Sequence, residues 1–107
     1  MRSAPELQQH LDQLVEDLKR YGAQKIVLFG SLARGDADAY SDIDLVVIKP
    51  TSLTFVERLA DVVRRCPSAG GADILVYTPE EFERMRETEN PFMDCVLRDG
   101  KVLHEAA

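Results

Sequence analysis
Two stretches decide the fold: Lys25-Ile-Val-Leu-Phe-Gly-Ser31 and Asp42-Ile-Asp-Leu-Val-Val-Ile48. The first is a short apolar run rich in strand formers that stops abruptly at Gly30-Ser31. The second opens with two acids and is then apolar at every position until Pro50 ends it. A strand apolar on both faces is a buried one, so these runs predict the centre of a sheet. Upstream, Leu7, Leu11, Leu14, Val15 and Leu18 recur at helical spacing over 4–21, with Ser3 and Glu6 at capping-box spacing and Gly22 as a stop. Residues 32–41 are small and polar, which predicts a short helical turn and then a loop. Leu53, Val56, Leu59, Ala60 and Val63 predict an amphipathic helix over 53–65. Ala72-Asp-Ile-Leu-Val-Tyr77 reads as a further strand. Thr78-Pro79-Glu80-Glu81 starts a helix with a cap, Pro at its first position and Glu at its third. Asn90-Pro91 starts a last helix ending near Gly100, and Lys101-Val-Leu-His104 adds a short edge strand. The expectation is one domain over 1–107 of α/β (α+β) class, a small mixed sheet of three to four strands packed with helices.

Bulk properties narrow the function. A chain of 107 residues fits one core, and 45% hydrophobic with 30% charged residues is a globular balance. Cys66 and Cys95 stand far apart without a nearby His pair, which excludes a disulfide framework or zinc site and suits a reducing compartment. No apolar run approaches the roughly 20 residues of a membrane span and no leader pattern opens the chain, so a cytoplasmic protein is expected. A net charge of −6 speaks against extended nucleic-acid binding, which needs many Lys and Arg contacts. A small anionic ligand held through metal ions remains open.

Asp42-Ile43-Asp44 is the segment richest in chemistry. Side chains two apart on a strand share a face, so both carboxylates point the same way at the mouth of a buried strand. Two like charges about 4 Å apart repel by about 4 kcal/mol at an effective dielectric near 20. A divalent cation between them removes that cost. Asp73 opens the buried strand Ile74-Leu75-Val76 and supplies a third acid in the same context. Three carboxylates at neighbouring strand ends can hold one or two Mg²⁺ ions, the arrangement that two-metal phosphoryl transfer requires. An isolated Asp-x-Asp is more often a solvated strand end, and it is the combination that points to metal.

Gly30-Ser31 lies at a strand end just before the helical turn. Such a turn offers free backbone N–H groups to an anion; Gly30 admits close approach, and Ser31 can both cap and bond a phosphate oxygen. Arg34 either contacts phosphate or braces the loop against Asp36 or Asp38. Neither a Gly-x4-Gly-Lys-Ser/Thr loop nor a Gly-x-Gly-x-x-Gly fingerprint is present. A calcium loop starting at Asp36 would place Ser41 and Val47 where Gly and Glu are needed, so that reading fails too.

Gly30-Ser31, ten intervening residues and Asp42-x-Asp44 together resemble the signature of the DNA polymerase β-like nucleotidyltransferase superfamily. Phe29-Gly-Ser-Leu-Ala-Arg-Gly35 through Ser41-Asp-Ile-Asp-Leu-Val46, Asp73-Ile-Leu-Val76 and Asp99-Gly-Lys-Val-Leu103 are similar to its minimal, MntA-like branch. The resemblance implies the polymerase β-like fold and a transfer of NMP, AMP from ATP as the default, with two Mg²⁺ ions. Gly30, Ser31 and Arg34 would bind nucleotide. Asp42 and Asp44 would bind both metals, and Asp73 would complete the site and help activate the acceptor hydroxyl. It further implies an antitoxin whose acceptor is a tyrosine on a HEPN-family ribonuclease toxin. Two other readings stay open: a binding-only antitoxin, and the catalytic subunit of a small-molecule nucleotidyltransferase of the antibiotic-modifying kind. A homo-oligomer is compatible with the sequence, and base selectivity is not legible in it.

Other chemistry-bearing residues are assigned to packing or solvent. His10 and His104 are expected at the surface, and Cys66 and Cys95 in packing positions. Tyr21 and Tyr77 are expected at the core or its rim, and Tyr40 in a loop. Phe82, Met85, Phe92 and Met93 are expected chiefly to pack onto the sheet.

Overall fold
The computed structural model describes residues 4–35 and 43–106. Helix α1 (Ala4–Tyr21) leads into strand β1 (Lys25–Phe29) and the short helix α2 (Gly30–Arg34). Strand β2 (Ile43–Ile48), helix α3 (Phe55–Arg65), a 3-10 turn (Pro67–Ala69) and strand β3 (Ala72–Tyr77) follow, then helices α4 (Pro79–Glu87) and α5 (Pro91–Asp99) and strand β4 (Lys101–Glu105). The sheet runs in the order β3-β2-β1-β4. Pairs β1–β2 and β1–β4 are antiparallel, and β2–β3 is parallel with α3 as its crossover. The expected mixed α/β sheet is therefore present with four strands, and Lys101–Glu105 is one of its two edges. Among the described residues no helix is long and apolar enough to cross a membrane.

The two faces of the sheet explain why β1 and β2 are apolar throughout. Ile26, Leu28, Ile43, Leu45 and Val47 pack with Leu7, Leu11, Leu14 and Leu18 of α1 and Val62 of α3. Val27, Val46 and Ile48 pack on the opposite face with Met93 and Val96 of α5, and Phe82 and Met85 of α4 lean on this second core. Each buried aliphatic side chain contributes roughly 2 kcal/mol relative to exposure. Helices on both faces leave the strand ends as the place where polar chemistry can open to solvent.

Local signals set the boundaries. Thr54 caps α3 and Thr78 caps α4, each in a complete capping box with Glu57 and Glu81 respectively. Asn90 caps α5 by accepting from the Met93 N–H. Helix α2 begins at Gly30, two residues before the expected turn, and α3 begins at Phe55 rather than 53. The 3-10 turn at Pro67–Ala69 interrupts the stretch between α3 and β3.

Helix α3 corrects the sequence reading most. Its buried side chains are Arg58, Asp61 and Val62, whereas Val56, Leu59 and Val63 are exposed at 73%, 39% and 55%. The helix is turned so that the apolar stripe expected inside faces solvent. The cause is hydrogen bonding. The Arg58 guanidinium donates to Leu53 O (2.9 Å) and Val76 O (3.1 Å) and forks onto both Glu81 carboxylate oxygens at 2.6 and 3.2 Å. Asp61 accepts from the Tyr21 hydroxyl and from Arg64. These bonds satisfy buried charge that would otherwise prevent such a face from turning inward.

Smaller differences concern single side chains. His10 is half-buried, its Nε2 lying 2.7 Å from Ser68 O, and His104 is half-buried on β4 opposite Ile26. Cys66 packs in the core as expected, but Cys95 is exposed. Met93 is fully buried, whereas Phe92 keeps 39% of its surface.

Candidate active site
One row of register partners crosses the end of the sheet. Phe29 at the end of β1 pairs with Asp44, and Asp44 pairs with Asp73 on β3. Register partners on adjacent strands present their side chains to the same face, about 4.8 Å apart along the hydrogen-bonding direction. Along β2 that face alternates with the first core, since Ile43 and Leu45 pack there while Val46 packs against α5. Asp44 is half-buried and Asp73 exposed, so the pair runs from the sheet interior outward to solvent.

The Gly-Ser turn abuts this row. Gly30 has φ +78°, in the left-handed region, and a Cβ built on it would lie 2.5 Å from Asp44 Oδ2. Only glycine fits both conditions. Ser31 follows at the start of α2, and Gly35 ends that helix with φ 81° and its N–H bonded to Ser31 O. The sequence thus brings Gly30, Asp44 and Asp73 to one place. Arg34 is exposed at the end of α2; the Asp99 carboxyl is held low first by its hydrogen bond from Arg98, with the Arg34 charge adding to the effect. The bracing partners weighed for Arg34, Asp36 and Asp38, lie outside the described residues, as do Tyr40, Ser41 and Asp42. Among the described residues no three acids, histidines or cysteines form a metal-ligand group; Asp44 and Asp73 are two of the expected three.

The sequence reading passed over an aromatic wall beside the acids. Phe29, partner of Asp44, meets Phe92 of α5 edge to face with ring centroids 5.6 Å apart. The signal available was Phe29 directly before Gly30, but nothing local links it to a residue 63 positions later.

Several groups with shifted titration lie away from this row. Ser68 hydrogen bonding holds the Asp17 carboxyl low, and the Tyr21 hydroxyl does the same for Asp61. The Arg58 fork lowers Glu81. Burial pushes the Tyr21 phenol up, with the Asp61 bond adding to it. These are ion-pair and hydrogen-bond ties between helices, and they brace the scaffold.

A nucleotidyltransferase domain model matches residues 11–65, the span that holds β1, the Gly-Ser turn, Asp42 and Asp44. A Methanocaldococcus jannaschii protein named "Putative protein adenylyltransferase MJ1305" is 31% identical over 102 residues, covering 89% of this chain and 69% of that one. The chain belongs to the nucleotidyltransferase domain family. Two crystal structures share its fold. A toxin–antitoxin determined with AMP-PNP superposes with a TM-score of 0.61 at 24% identity, over 89% of this chain and 73% of the other. A mutant of the toxin–antitoxin MntA–HpeT superposes at 0.54 and 21% identity, over 92% of this chain and 73% of the other. The fold expected for a nucleotidyltransferase is the one found.

Proposed function
We propose that this nucleotidyltransferase moves AMP from ATP to a protein hydroxyl, releasing pyrophosphate, with Asp42, Asp44 and Asp73 as its acidic site. The observation that carries the reading is the Phe29–Asp44–Asp73 row with Gly30 pressed against the Asp44 carboxylate. Carboxylate oxygens on adjacent strands suit Mg²⁺, a hard cation that prefers oxygen ligands. Bound there by Asp42, Asp44 and Asp73, Mg²⁺ would neutralise phosphate charge and favour the deprotonated acceptor.

The chain's own residues would do the rest. Gly30 lets the triphosphate approach the backbone, and Ser31 donates its hydroxyl to a phosphate oxygen. Arg34 lies one turn further along α2 and offers a cation to the same phosphates. Asp73, the exposed member of the pair, takes the proton of the acceptor hydroxyl. The acceptor oxygen then bonds to the α-phosphorus as the bond to the pyrophosphate oxygen breaks. Phe29 and Phe92 form an apolar flank that excludes water from one side.

The acceptor we assign is a tyrosine on a HEPN-family toxin, which makes this chain an antitoxin. A relative named as a protein adenylyltransferase and the two toxin–antitoxin neighbours support that assignment. The test is to incubate the chain with Mg²⁺, each NTP and the protein encoded beside it, and to measure intact masses. One or more AMP additions on the neighbouring protein, absent with Asp42→Asn/Asp44→Asn, are expected. Toxin neutralisation that persists in that double variant would mean masking instead, and label found only on a small molecule would overturn the protein acceptor.

A further inference from the structure
The apolar stripe of α3 has no cover within the described chain. Val56, Leu59, Ala60 and Val63 fall within about 100° of helical arc and span two turns, roughly 10 Å. All four are exposed, and the opposite face is fixed inward by the Arg58 and Asp61 hydrogen bonds. The helix cannot roll to bury the stripe without stripping those charges of their partners, which makes the exposure a built feature of the fold.

We infer that this stripe is an interface between two copies of the chain, in which α3 packs antiparallel on α3 of the second copy about a two-fold axis near Ala60. The pattern is self-complementary in that arrangement and only in that sense of pairing. Val56 of one copy meets Val63 of the other, and Leu59 sits beside the partner copy's small Ala60, which permits close helix approach. The charges agree. Glu57 lies in the first turn and Arg64 in the last, both on the same flank of the stripe. An antiparallel pair therefore sets each Glu57 near an Arg64 of the other copy, twice by symmetry. Arg64 is 77% exposed while bonded to Asp61, so it keeps donors for a second carboxylate. A parallel two-fold pair would instead set this flank of the two copies on opposite sides of the seam and lose both contacts. The helix dipoles also oppose one another in the antiparallel pair, which is favourable. Two turns of helix bury less than the roughly 1,200–2,000 Å² of a stable interface, so the association is weak, with Kd on the order of 100 µM.

Sedimentation equilibrium from about 1 µM to about 1 mM reads the association directly. The full chain is expected to pass from monomer to dimer across that range, and Leu59→Arg to remain a monomer. Arg64→Glu should weaken dimerisation about tenfold, about 1.4 kcal/mol. In a Cys95→Ser background, Ala60→Cys should form a disulfide-linked dimer under mild oxidation far faster than the control Gln9→Cys on exposed α1. A chain that stays monomeric throughout, or a dimer indifferent to Leu59→Arg whose Ala60→Cys crosslinks no faster than the control, overturns the inference. So does a stripe covered only when a different, helical protein is added. The transfer reaction plays no part in these readouts.

Discussion

Asp44 and Asp73 are register partners on the two parallel strands of the sheet, and the carboxylate of Asp44 occupies the space where a side chain on Gly30 would begin. Three residues that are up to 43 positions apart in the chain thus meet at one strand end.

Gly30→Ala tests that contact. The substitution imposes a left-handed φ on an L-residue, costing about 1–2 kcal/mol, and drives the new methyl into Asp44. Urea unfolding should show a loss of that size. Transfer should fall by roughly 100-fold, the scale of a small misplacement at a reacting centre. Full activity would mean that Asp44 is free to move aside.

Arg58→Met tests the orientation of α3. It removes the guanidinium that donates to Glu81, Val76 O and Leu53 O, and a loss of about 2–4 kcal/mol in chemical unfolding is expected. Activity per folded molecule should be retained, since Arg58 lies away from the acidic row. Equal loss of both would place α3 in the reaction.

Acid stability follows from the same ties. Asp17, Asp61 and Glu81 are held below the usual carboxyl range by Ser68, Tyr21 and Arg58 respectively. Their folded values lie below their unfolded ones, so their contribution is complete above about pH 4–5 and is lost as pH falls through the lowered values. The urea midpoint should stay nearly level from about pH 7 to 5 and drop below about pH 4. Ser68→Ala, which removes the largest cause at Asp17, should make that drop shallower.

Phe92→Ala tests the aromatic flank. Phe92 keeps 39% of its surface exposed, so the fold should lose only about 1 kcal/mol. A rise in KM for nucleotide or acceptor, with the melting temperature little changed, is the expected outcome. Unaltered kinetics would remove the flank from the site.

How far the sequence could be read depended on where the deciding interactions come from. Strands β1 and β3 and helix α1 are legible to the residue because apolar period and caps are local signals, as at Gly22 and Pro79. The face that α3 buries is not legible, because 55, 58 and 62 alternate with 56, 59 and 63. The choice between those stripes is made by Glu81, 23 residues away from Arg58. The half-buried position of His10 is not legible for the same reason, since its partner Ser68 is 58 positions distant. At the site, acids at two strand ends announced themselves, but the register that sets Asp44 against Asp73 and Phe29 against Asp44 comes from the assembled sheet.

The central claim is that Asp44 and Asp73 work as one site. Single-turnover pyrophosphate release with Asp44→Asn, Asp73→Asn and the double variant tests it most directly. Residues acting as a unit are non-additive, so the double variant should be no slower than the slower single, each single being down by about 100-fold or more. If the losses instead multiply, or if Asp73→Asn keeps wild-type release, the two acids act separately and the account is wrong.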